Sequence, residues 1–229
     1  TKVLRNSTPY VRMVFSACLP YLAEVSLRFY DMATVLKSNV LETSIDPETE
    51  NLGVATSGIF DISKESLSVD FESFAISLLT DPDPMVKISL LKGILRLCSF
   101  LGKEKTNDLV LSHLITYLND KHAALRVAFV ESVVGLSVYV GTISLEHYML
   151  PLLAQTLSDP EELVVIKVLH VFGDLLTIGI IKRDFIWDLL GIISKLLIHP
   201  NECIKQGALS LIVTLATDLS LADRYCILY

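Results

Sequence analysis

The stretch Asp81-Pro82-Asp83-Pro84-Met85-Val86-Lys87 separates two long apolar segments, and variants of it return along the chain. Thr8-Pro9-Tyr10-Val11-Arg12 is one. The others run from Asn119-Asp120 through Leu125-Arg126, from Asp159-Pro160 through Ile166-Lys167, and from His199-Pro200-Asn201 through Ile204-Lys205. Each has a turn-forming Asp, Asn or Pro, a short gap, and an apolar residue followed by Lys or Arg, the chemistry that ends one helix and starts the next. The basic residues at 87, 126, 167 and 205 are 39, 41 and 38 positions apart, and Arg12 precedes Lys87 by 75, one period plus an insertion of about 36. A period of roughly 40 built from helix pairs is the signature of HEAT and armadillo arrays. The expected fold is all-α, a HEAT-repeat α-solenoid of stacked antiparallel helix pairs.

Apolar patterning between the turns alternates in kind. Phe71, Phe74, Ala75, Leu78 and Leu79 form one helical stripe. Leu111, Leu114, Ile115 and Leu118 form a second, Leu145, Tyr148, Met149, Leu152 and Leu153 a third, and Ile186, Leu189, Leu190, Ile193 and Leu197 a fourth. This spacing marks outer helices buried on one side. The segments between them (Met85 to Leu101, Val127 to Val140, Leu163 to Ile181, Ile204 to Leu219) are apolar nearly all round, which requires neighbours on several sides. The whole of 1–229 reads as one array of about five units, the first and last incomplete. Ser220-Leu221-Ala222-Asp223 resembles a capping box that opens another helix. A piece of a longer array is therefore expected, with abnormally apolar ends.

Residues 37 to 68 interrupt the pattern with Asn, Ser, Thr, Gly and Asp-Pro, and with six acidic residues against Lys37 and Lys64. The reading is an inserted acidic surface loop, with Ile59, Phe60 and Ile62 as a candidate partner-binding segment.

Composition narrows the function. Of the 229 residues 52% are hydrophobic, and the mean hydropathy is +0.53. Leu163 to Ile181 is about long enough to cross a bilayer, but it contains Lys167, His170 and Asp174 and occupies an inner-helix slot, so no membrane insertion is expected. A net charge of −7 offers no electrostatic footprint for nucleic acid. Cys18, Cys98, Cys203 and Cys226 are widely spaced, which fits buried thiols in a reducing, cytosolic setting and neither a disulfide framework nor a zinc site.

No phosphate loop, dinucleotide fingerprint, nucleophile elbow or H-E-x-x-H motif is present. His113, His122, His147, His170 and His199 are scattered over separate repeats. Glu161-Glu162 opens a helix, where carboxylates complement the helix dipole. No catalytic residue, cofactor or metal is expected. The recurring charges are read as a structural ladder of Asp81, Lys87, Asp120, Arg126, Asp159, Lys167 and Lys205, in which each cation meets an acid or carbonyl of a neighbouring repeat.

Several ungapped segments carry more than periodicity. Val110 through Lys121 with Leu125-Arg126-Val127-Ala128-Phe129, Leu150-Pro151-Leu152-Leu153 with Ser158-Asp159-Pro160-Glu161-Glu162, and Ala222-Asp223-Arg224-Tyr225-Cys226 closely resemble one particular solenoid. They are similar to the HEAT region of the protein-kinase-like regulatory subunit of class III phosphatidylinositol 3-kinase (the vacuolar protein sorting 15 or p150 family), in a fungal-looking version. The resemblance covers essentially the whole chain. It implies a larger protein with a kinase-like domain before this region and a WD-repeat propeller after it. It implies as partners the lipid kinase and Beclin-type coiled-coil subunits, on endosomal, vacuolar and autophagic membranes. No kinase motif lies in this chain, so the implied role is a non-enzymatic scaffold. A transport-receptor or phosphatase-scaffold type of HEAT adaptor has the same bottom-up features.

Overall fold

The computed structural model describes residues 7–43 and 50–218. Every regular element among them is helical, with no strand. The chain forms two compact units, residues 1–113 and 114–229.

In the first unit, α1 (Pro9–Thr43) and α2 (Glu50–Leu79) are long helices, followed by α3 (Pro84–Leu91) and α4 (Ile94–Lys105). Helix α1 lies along α3 and α4, and α2 packs on α1 and α3. Two hydroxyls tie α1 to α3: buried Ser16 Oγ donates to the Val86 carbonyl at 2.8 Å, and Ser89 Oγ donates to the Met13 carbonyl at 3.1 Å. The segment expected as one inner helix, Met85 to Leu101, breaks at Lys92-Gly93. Pro20 lies inside α1, which continues through it, and its ring stands against this break. The opposing chain makes room: a Cβ on Gly93 would come within 2.8 Å of the Pro20 ring.

The inserted loop read over 37–68 is corrected by the structure. Helix α1 runs on to Thr43 and α2 begins at Glu50, so most of the insertion lengthens two helices. Between Tyr21 and Asp81 the only proline is Pro47, which lies outside the described residues. Without an interior proline, polar and acidic residues are compatible with helix, and Gly53 and Gly58 each cost only about 1 kcal/mol. Helix α1 also exposes Tyr10, Val14, Tyr21, Val25, Phe29, Met32 and Leu36 along one stripe at helical spacing.

The second unit opens with a 3-10 helix, Ile115–Asn119, and continues with α5 (Ala123–Val140), α6 (Leu150–Thr156), α7 (Glu162–Ile178), α8 (Arg183–Leu196) and α9 (Glu202–Asp218). The inner helices α5, α7 and α9 lie side by side, α7 packing on both of the others. Helix α8 packs on α9, and α6 on α7. Phe129 and Leu136 of α5 and Phe172 of α7 are each at most 1% exposed, as the all-round apolar composition requires. The outer elements are less regular: π-helical turns cover Thr106–Leu111 and Leu145–Met149.

Among the described residues one helix, α5, is long and apolar enough to cross a membrane, and half of that window is buried inside the protein. Three inner segments reach a glycine with positive φ, Gly102 (80°), Gly141 (85°) and Gly179 (76°). That backbone region favours glycine because it has no Cβ. These glycines recur 39 and 38 residues apart, a second marker of the period.

Candidate functional site

The turns between outer and inner helices are built alike. The side chain of Asp81 accepts the backbone N–H of Asp83 at 2.9 Å, Asp120 that of His122 at 2.9 Å, and Asp159 that of Glu161 at 2.8 Å. A short side-chain acceptor two residues before a donor is the standard means of closing such a turn. In the last turn His199 takes this place, its Nδ1 accepting the Asn201 N–H at 3.1 Å.

Two of these aspartates also receive an arginine from the preceding repeat. Arg12 donates through Nε to Asp81 Oδ2 at 2.7 Å and through Nη2 to Oδ1 at 3.3 Å, while Nη1 donates to the Ser7 carbonyl at 2.7 Å. Arg126 repeats the arrangement, with Nε and Nη2 on Asp159 at 2.7 and 2.8 Å and Nη1 on the Asp120 carbonyl at 2.7 Å. The side chains of Arg126 and Asp159 are 10% and 7% exposed. The planar guanidinium fork suits this bidentate contact, which a lysine cannot reproduce. Each arginine thus closes its own turn and clamps the next.

The other ladder residues stand differently. Lys87 occupies α3, six residues after Asp81, as Arg126 stands six after Asp120 and Lys205 six after His199. Lys205 meets Glu202 of its own helix at 3.0 Å. Lys167 stands eight residues after Asp159, so it is two positions out of register, and it reaches back to Glu131 of α5 at 2.6 Å. Buried Val165 holds the sixth position instead. At this one step both halves of the clamp are replaced, Arg by Val165 and the next Asp by His199. Counting six residues from each turn acid, instead of aligning the nearest cation, would have found this in the sequence.

Further ties lie within the units. Glu72 of α2 accepts from Lys105 and from Ser68. Arg96 of α4 pairs with Glu24 at 2.8 Å and sits 4.3 Å from the Tyr21 ring centroid. Glu161 stands at the N-cap of α7 and Glu162 in its first turn, where Asn201 donates to Glu162. Ile59, Phe60 and Ile62 fall on α2, and their side chains lie outside the described residues, as does the 220–223 segment.

Among the described residues no three His, Cys, Asp or Glu side chains come together as a metal would need. Burial pushes the Cys98 thiol up to about 11, the Thr106 hydroxyl partly opposing it, and Cys18 and Cys203 are exposed. The Tyr117 hydroxyl is likewise raised, first by burial and then by Asp120. Neither group has a depressed pKa of the kind that activates a nucleophile.

An open groove of about 590 Å³ runs along the packed pair α7 and α9. Leu169 and Leu211 line it, with His170 and Asp174 on the α7 wall and Gln206 and Ser210 on the α9 wall. Sequence reasoning assigned these residues only to apolar inner helices.

The profile of the "PIK3R4-like, middle domain" family matches residues 1–229. The chain is 49% identical to a VPS15 serine/threonine-protein kinase of Komagataella pastoris over 96% of its length, and 44% identical to that of Saccharomyces cerevisiae over 98%. It is 37% identical to that of Schizosaccharomyces pombe over 94%. It spans only 13–15% of the length of these relatives. Among solved structures, Cex1p matches with a TM-score of 0.58 and 18% identity over 83% of this chain and 36% of that one, a likeness of fold alone. The matched region is the helical middle domain and not the kinase domain, and the chain belongs to the PIK3R4-like, or VPS15, family.

Proposed function

We propose that this chain is the non-catalytic scaffold segment of a class III phosphatidylinositol 3-kinase complex. In this reading it holds a kinase-like module and a WD-repeat module at a fixed separation and supports assembly with the lipid kinase and its Beclin-type subunits. The site of action is the cytosolic face of endosomal, vacuolar and autophagic membranes, reached through the longer protein. Family membership supplies the context. The observation that carries the reading is the pair of buried clamps, Arg12–Asp81 and Arg126–Asp159, each locking one repeat turn to the next. Largely buried, bidentate pairs at alternate steps of the array favour one geometry over a flexible tether, which is what a spacer needs.

The test is a pull-down of the purified lipid kinase, with and without its Beclin-type subcomplex, by this chain. A parallel assembly assay uses the full-length protein with Arg12 and Arg126 both replaced by Ala. Micromolar or tighter capture, or loss of assembly in the double variant, supports the scaffold. A folded chain that captures neither, together with unchanged assembly of the double variant, overturns it.

A further inference from the structure

We infer that the groove between α7 and α9 is a binding site for a short, extended, basic peptide segment. This rests on the groove itself and does not depend on the complex proposed above. Gly173 leaves the groove open, since an added Cβ there would meet only Leu211 Cδ1 at 3.9 Å, while Gly207 lets α9 approach α7 closely beside it, an added Cβ lying 3.2 Å from Leu169 Cδ1. One repeat earlier, counted from the turn residues, the sequence has Val134 and Lys167 at the corresponding places.

The walls carry polar groups that find no partner among the described residues. His170 and Asp174 are one turn apart on α7, and Gln206 and Ser210 are one turn apart on α9. All four are exposed. Among the described residues, none of these side chains makes an intramolecular hydrogen bond or ion pair. Side-chain donors and acceptors on two facing helices, over an apolar floor of Leu169 and Leu211, suit a peptide backbone whose own N–H and C=O groups are unpaired. From Cys203 to Thr214 the α9 wall is about 16 Å long at 1.5 Å per residue, room for about five residues of extended chain.

Charge selects the occupant. Lys167 and Lys205, the nearby cations of α7 and α9, are already paired with Glu131 and Glu202. Among the described residues Asp174 is the groove carboxylate with no cation paired to it, so the bound segment carries Lys or Arg opposite it.

The experiment pans a displayed library of random peptides on the full chain. Enriched sequences are then made as fluorescein-labelled peptides and titrated by fluorescence polarisation. The same titrations use Asp174→Lys, which reverses the charge, and Ser210→Trp, which fills the groove. Both positions are exposed, and circular dichroism establishes that each variant is folded. The result expected is enrichment of peptides with Lys or Arg and no helical apolar periodicity, their affinity falling at least about tenfold in each variant, the scale of one lost charge-assisted contact. Overturning results are the absence of any enriched peptide, enrichment of acidic or amphipathic-helical sequences, or binding unchanged in both variants.

Discussion

Replacing Arg126 by Ala removes three hydrogen bonds at once: two to Asp159, at 2.7 and 2.8 Å, and one to the Asp120 carbonyl at 2.7 Å. Asp159, 7% exposed in the intact protein, keeps the Glu161 N–H as its one hydrogen-bond donor among the described residues. Breaking one side of a buried pair costs about 3–5 kcal/mol, because the remaining charge stays desolvated. Both partners are well buried, so no large solvent discount applies. For a chain of this size 1 kcal/mol moves the thermal midpoint by about 2–4 °C. The variant should therefore melt roughly 10 °C lower. Asp159→Ala should cost a similar amount, and Arg126→Ala with Asp159→Ala less than the sum of the two. Arg126→Val with Asp159→His, the residues that stand at the next step of the array, should recover much of the loss. Chemical denaturation of the four variants as a double-mutant cycle provides the measurement. Single losses below about 1 kcal/mol, or strict additivity, would refute the idea that the pair acts as a clamp.

Four other outcomes are expected. Lys167→Ala should change stability by no more than about 1 kcal/mol, since its pair with Glu131 is substantially exposed; a larger loss in the same denaturation assay would contradict the distinction drawn between clamp and surface pair. Phe129→Ala should cost about 3–5 kcal/mol and Leu136→Ala about 2–5 by opening cavities in α5, and unchanged melting would place α5 outside the core. Gly93→Ala should cost about 1–3 kcal/mol through overlap with Pro20, with part recovered by Pro20→Ala; an unaffected single variant would count against that contact. Cys18 and Cys203 should react with a thiol reagent near neutral pH while Cys98 stays protected until unfolding. The folded state holds the Cys98 proton more tightly than the unfolded one, so this group's contribution to stability is complete below the ordinary thiol value and declines as pH rises toward about 11. Labelling of Cys98 at the rate of Cys203 would show that it is not enclosed.

The period and the helix types were legible because they rest on local chemistry. A turn acid with proline, a short gap to a basic residue, and one-sided against all-round apolar patterning each act within a few residues. What escaped depends on partners distant in sequence. The break at Lys92-Gly93 lies opposite a proline 73 residues earlier whose ring leaves no room for a side chain at position 93. The insertion over 37–68 is polar enough to read as a loop, yet α1 and α2 extend into it from either side of Pro47, because polarity by itself does not stop a helix. The ladder was visible as a set of charges, but the direction of each pair was not. Lys167 matched the pattern of cations while standing two residues out of register, and two residues turn a helical side chain by about 200°. The α7–α9 groove was hidden for the same reason. Gly173 and Gly207 look like ordinary small residues until their helices are set face to face.

The substitution of Val165 and His199 for an arginine–aspartate pair has a mechanical consequence. In a stack whose stability is a sum of neighbour couplings, the weakest coupling decides where the stack parts. Without a bidentate bridge at that step, the pair α8–α9 becomes the segment that detaches before α5 and α7 do. Amide exchange would be fastest at that seam, and a protease would reach it first. The seam lies where the groove opens between α7 and α9, so an occupant touching both walls would add to the Asn201–Glu162 hydrogen bond in bracing that joint.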